Sequence, residues 1–230
     1  MLSQSIQDAK HFADNFVQIK GDSGPISACI HHAKAFDGDE IYKLMALQKA
    51  SLNFAQKAEK NLDHMLEELQ NDHSKQNLLD ALRDLHAQLA ALSRQADQVD
   101  KIMNSFRATF NTEVVNLTHY SDQLMTEARK NQELQRHHTQ EHARIKDRIN
   151  VIKSMAAWHP FIKLTDELES LVRNCNTTQA QATAAKSKAD SFMRQRYVAE
   201  HANATAQDLR ETILHLSNEV QSTRNAINVI

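Results

Sequence analysis

Between Ser74 and Ala157 the chain has neither glycine nor proline, and its apolar residues keep a beat of three and four. Leu78, Leu82, Leu85, Leu89, Leu92, Ala96, Val99, Met103, Phe106, Phe110, Leu117, Tyr120 and Leu124 follow at that spacing. One beat is missed, at Glu113, where Val114 stands next door. A mean step of about 3.5 residues places the set on one narrow seam, the a and d positions of a heptad repeat. A helix of roughly 80 residues rising about 1.5 Å per residue would be on the order of 120 Å long. Nothing of that length fits a globular α/β domain, so the remaining helices must lie along it and cover its seam.

The rest of the composition agrees. Three Gly and two Pro in 230 residues are too few for the frequent turns of a sheet protein. Strong helix formers dominate, and aromatics make up only 5%, which suits a thin bundle rather than a thick core. The expected fold class is all-α: an elongated antiparallel helical bundle or coiled coil with very long central and C-terminal helices.

The chain then divides into a short N-terminal part, residues 1–36, docking on or capping the bundle, and the elongated bundle itself, residues 37–230. The first helix spans about Ser3 to Lys20, with Ile6, Ala9, Phe12, Phe16 and Ile19 on one stripe and Gly21 as its stop. The cluster Gly21-Asp22-Ser23-Gly24-Pro25 is the clearest turn. A short helix from Pro25 to Phe36 carries Ile26, Cys29, Ile30, Ala33 and Phe36 on a compact face, beside His31 and His32. Asp37 and Glu40 read as a capping box for a third helix running to Gln70. Asn71 to Ser74 reverses the chain into the central helix, about 75–157. From Glu127 to Arg144 the seam turns polar, which predicts a bend or fraying there. Pro160 ends the central helix, and the last helical stretch, about 161–230, allows a break between Asn174 and Thr178.

Chemical signatures are sparse. His137, His138, Glu141 and His142 place imidazole and carboxylate one turn apart, but a zinc site needs three or four ligands and a closed second shell, so no metal is expected. Cys29 and Cys175 form neither a disulfide framework nor a CxxC motif. No HExxH, GxSxG, phosphate loop or dinucleotide turn occurs, so no catalytic residue, cofactor or small-molecule substrate is expected. The net charge of −2 and pI near 6.7 exclude the basic footprint of a nucleic-acid binder. Thirteen histidines would carry the net charge from −2 to +11 if all were protonated (−2 + 13), a change centred near about pH 6.5 for an unperturbed imidazole.

The segment Val151 to Ile162 is the most apolar in the chain and holds its only Trp. It either caps the bundle or contacts a partner or a membrane, since Trp offers an apolar body with one N–H. The candidate contact residues are therefore Ile152, Met155, Trp158, Phe161 and Ile162, together with Phe12 and Phe16 of the first helix. The N-terminus has no basic or apolar leader pattern and no run reaches the roughly 18 apolar residues of a membrane span, so the cytosol is the default compartment, although leaderless secretion would leave no mark.

One moderate helix followed by two very long ones, over residues 39–230, resembles BAR-type membrane-curvature modules in helix length. It is also similar to the soluble form of α-helical pore-forming toxins of the cytolysin A type, in which long helices pack beside a small apolar head. The chain thus reads first as a non-enzymatic interaction or scaffold protein, binding protein partners or a second copy through its seams. The alternative is a membrane-active helical protein, either a component of an α-helical pore-forming toxin or a BAR-like module.

Overall fold

A computed structural model describes residues 2–19, 24–70, 75–158 and 165–229. They form five α-helices: α1 (Leu2–Val17), α2 (Gly24–Ala35), α3 (Ile41–Gln70), α4 (Lys75–Trp158) and α5 (Thr165–Val229), with a five-residue π-type turn, Phe36–Glu40, joining α2 to α3. The fold is an all-α antiparallel helical bundle with very long α4 and α5, and no strand occurs among the described residues. Two connections singled out in the sequence, Asn71 to Ser74 and the stretch around Pro160, lie outside the described residues, as do residues 20–23 of the first turn cluster.

Two compact units emerge: Met1–Leu117 with His201–Ile230, and Thr118–Glu200. In the first, α1 packs on α2, α3 and the π-type turn. Its buried stripe is Ile6, Ala9, Ala13, Phe16 and Ile19, close to the expected one, with Ala13 inside and Phe12 only half-buried. Full burial of one ring such as Phe16 stabilises the unit by roughly 2 kcal/mol. Ile26, Cys29, Ala33 and Phe36 turn inward, and Phe36 meets Phe106 of α4 edge-on, ring centroids 5.2 Å apart. From α5, Ala202, Ala206, Leu209, Ile213, Leu216 and Val220 supply the opposing face. Arg224 of α5 reaches Asp97 of α4 at 2.6 Å and Asp100 at 3.6 Å, which fixes the antiparallel register there.

Three local expectations are corrected. Asp37 and Glu40 do not act as a capping box: Asp37 Oδ1 accepts from Lys10 Nζ of α1 at 2.9 Å, and Glu40 takes Lys43 at 2.8 Å. The chain leaves helical geometry instead at Gly38 (φ −72°, ψ −107°), and the turn is held by docking against α1. The Asp37 bond and charge hold the Lys10 ammonium above its usual pKa. Second, α4 runs without a break through Glu127 to Arg144. Pairs one turn apart, Glu127 with Lys130 at 2.7 Å and Glu141 with Arg144 at 3.9 Å, sustain a polar helix that propensity alone already favours. Third, α5 continues through Asn174 to Thr178, where Thr177 and Thr178 hydroxyls donate back to the carbonyls of Arg173 and Asn174 rather than interrupting the helix.

The second unit is a two-helix hairpin of α4 and α5. Leu124, Ala128, Ile149 and Ile152 of α4 and Ala185, Ala189 and Ala199 of α5 are its buried apolar residues, so the small-residue tract of α5 is used for close approach. Arg196 Nη1 reaches Met125 Sδ at 3.1 Å, and His142 Nδ1 lies 3.0 Å from the Cys175 carbonyl oxygen.

Candidate membrane-facing end of the α4/α5 hairpin

Toward its end the hairpin has α4 residues 145–158 on one side and α5 from Thr165 on the other. Ile145, Ile149 and Ile152, at steps of four and three, form the stripe turned to α5, with Leu168 and Leu171 half-buried opposite. A second apolar pair, Val151 and Met155, shares another face of α4 one turn apart, and these residues are 52% and 55% exposed. Val172 adds a third open apolar side chain on α5. Arg148 and Glu167 clamp the two helices at 2.6 Å, both largely exposed, so this pair orients the hairpin end more than it stabilises it. A two-helix hairpin has too little interior for all the apolar residues of this segment, and the surplus is on its surface.

Of the residues singled out from the sequence, Ile152 and Met155 are placed here together, the first turned in and the second out. Trp158 is the last residue of α4, and Phe161 and Ile162 lie outside the described residues. Phe12 and Phe16 belong to the other unit, where Phe16 is fully buried and Phe12 half-buried, so α1 as docked leaves only part of the Phe12 ring open. In the histidine cluster, the His137 and His138 rings lie tilted to one another with centroids 5.6 Å apart, and His142 is turned to Cys175. Among the described residues no three His, Cys, Asp or Glu side chains converge. No described helix is long and apolar enough to cross a membrane.

Sequence reasoning passed over one polar site, in the first unit. Glu113, the missed beat, is only 5% exposed, and its Oε1 lies 2.9 Å from His32 Nδ1 of α2, while Oε2 is buried without a hydrogen-bond partner. Cys29, one turn before His32, is buried beside it, and burial together with the Glu113 charge pushes its thiol up to about 12. The gap in the heptad was the available signal, since a carboxylate at a seam position needs a partner.

These features define a class: an all-α bundle with very long helices, one unit of which is a hairpin that ends in surplus apolar residues. No protein-family model matches the sequence, and no characterised protein sequence matches it. The fold, however, is similar to solved structures of one toxin component. The soluble AhlC of the tripartite alpha-pore forming toxin AHL from Aeromonas hydrophila aligns with a TM-score of 0.79 at 14% identity, over 99% of this chain and 83% of that one. A triple head mutant of the same AhlC aligns with a TM-score of 0.76 at 13% identity, over 99% of this chain and 87% of that one.

Proposed function

We propose that this protein is a non-enzymatic, membrane-active component of an α-helical pore-forming assembly, with the end of the α4/α5 hairpin as its lipid-contacting part. The observation that carries the reading is the open apolar pair Val151 and Met155 at the end of a hairpin that continues into Trp158, Phe161 and Ile162. The likeness of the fold to a component of a tripartite alpha-pore forming toxin supports it over a plain scaffold. Trp suits this role because its ring seeks the boundary between hydrocarbon and water.

A segment of roughly a dozen residues is too short to cross the ~30 Å hydrocarbon core. The hairpin end therefore anchors in one leaflet, and a pore is completed by further chains. Such a component acts at a membrane surface rather than in the cytosol.

The chain's single Trp makes the test direct. On adding anionic liposomes, Trp158 emission should shift to the blue, more strongly at mildly acidic than at neutral pH, because protonated histidines favour an anionic surface. Met155→Asp should abolish the shift while leaving helix content unchanged. An emission spectrum indifferent to liposomes at both pH values would return the segment to the role of a bundle cap.

A further inference from the structure

Glu113 is the one buried carboxylate among the described residues, with 7% of its side chain exposed, and α2 brings His32 to it. His32 Nδ1 lies 2.9 Å from Oε1, yet neither that nitrogen nor Oε2 makes an aligned hydrogen bond. A contact out of line contributes little while the imidazole is neutral and much more once the ring is charged. The His32 side chain is 37% exposed, so water can deliver its proton while the carboxylate stays sealed.

The surroundings supply no other counter-charge. On α2, Cys29 keeps its proton, and His31 stands on the open side of His32 with ring centroids 5.9 Å apart. On α4 the residues one turn either side of Glu113, from Thr109 and Phe110 to Asn116 and Leu117, are uncharged. The inward residues of α5 in this unit, such as Thr205, Ala206 and Leu209, are uncharged too, while Asp208 is exposed and Arg210 half-buried. The inward stripe of α1 is apolar, and its half-buried Asp14 acts on Lys10. In the turn and α3, Asp37 is taken by Lys10 and Glu40 by Lys43.

We infer that α1 and α2 form a pH-sensitive clasp on α4, closed by the contact of His32 with Glu113 and pivoting where the chain leaves helical geometry at Gly38. Between the ordinary carboxylate and imidazole ranges, about pH 4.3 to 6.5, imidazolium faces carboxylate and the clasp is tightest. As pH rises through the imidazole range the buried carboxylate is left facing a neutral ring, and lifting α2 lets water reach it. The two helices lift as one arm, because α1 packs on α2 and the pair of Lys10 with Asp37 lies wholly on the arm's side of Gly38. Opening also breaks the packing of α1 on α3, so the open form is the minor one throughout, and the contact sets how rare it is.

Cys29, wholly buried under the closed arm, reports the opening. In the full chain carrying Cys175→Ser, its rate of reaction with dipyridyl disulfide is compared with the rate in the denatured chain at the same pH, which gives a protection factor. We expect protection to fall on the order of tenfold from mildly acidic to mildly alkaline pH, the change that about one pKa unit of coupling produces. In Glu113→Gln and in His32→Asn that slope should vanish while helix content is unchanged. A thiol introduced by Val99→Cys, about two turns from Phe106 along α4, should show no slope in a chain without the two native cysteines. Flat protection of Cys29 in the chain with both His32 and Glu113, or a slope that survives in Glu113→Gln, would overturn the clasp. Equal slopes at Cys29 and Val99→Cys would do so as well, since the contact would then stabilise the whole unit rather than hold the arm.

Discussion

Glu113 and His32 hold the most consequential polar contact in the first unit. A carboxylate at a heptad seam costs several kcal/mol to desolvate unless it is paired; here Oε1 has His32 Nδ1 at 2.9 Å, and Oε2 has no hydrogen-bond partner. Glu113→Leu, which restores the seam beside Val114, is expected to hold or raise the melting temperature. His32→Ala, which leaves the buried carboxylate alone, should lower it. A double-mutant cycle between the two should show a coupling of about 0.5–3 kcal/mol, and a coupling of zero would make the contact incidental. Cys29 supplies a pH test next door. Its folded-state thiol stands at about 12 against an ordinary 9.0, so the unfolded chain releases this proton first. The contribution is intact below pH 9.0 and is lost as pH rises toward about 12. Thermal melts through that alkaline window should therefore fall less steeply in Cys29→Ala than in the wild type. Parallel slopes would mean that the thiol ionises freely in the fold.

Elements differ in how much of their pattern the fold uses. On α4 the seam reads uniformly from Leu78 to Leu124, yet Leu89 is half-buried and Leu82 exposed, while Met103, Phe110 and Leu117 are sealed. Periodicity marks which side of a helix is apolar; it does not say how far along the helix a neighbour extends. Leu117→Asp should accordingly unfold the first unit or cost it several kcal/mol. Leu82→Asp should change monomer stability by less than about 0.5 kcal/mol, as exposed positions do. Similar losses at both positions, in chemical denaturation of dilute protein, would contradict the burial described. In the polar stretch of α4, His138→Ala should leave the melting temperature within a degree or two. A rise on adding zinc that vanishes in His138→Ala would reveal a metal site that the helix geometry does not show.

For the molecule as a whole, the division of labour follows from where apolar surface is in surplus. The unit containing α1, α2 and α3 encloses its seam from Leu92 to Leu117, and it buries fully such large residues as Phe16, Phe36, Phe110 and Ile213. The hairpin unit has two helices only, and its last turns leave Val151 and Met155 outside. Liposomes loaded with a self-quenching dye provide the corresponding measurement. This chain alone should bind vesicles without emptying them, since no described helix can cross the bilayer. Rapid complete leakage by the purified chain would require α-helices to rearrange far more than the proposal allows.

By itself the sequence determined the helical class, the approximate extents of all five helices and the apolar character of residues 151–162. These are local properties, written in propensity, in the step of three and four, and in the scarcity of Gly and Pro. The tertiary structure alone decided the rest. It replaced the capping role of Asp37 by a pair with Lys10, because α1 docks where that side chain points. It kept α4 helical without a break through a polar stretch that a seam argument would have interrupted. It also turned the skipped beat at Glu113 into a contact with a histidine 81 residues earlier (113 − 32), and left Leu52, Leu62, Leu66, Leu69, Leu79 and Leu82 exposed. Which seam residues meet a partner depends on the lengths and register of other helices, and a one-dimensional pattern carries no record of those.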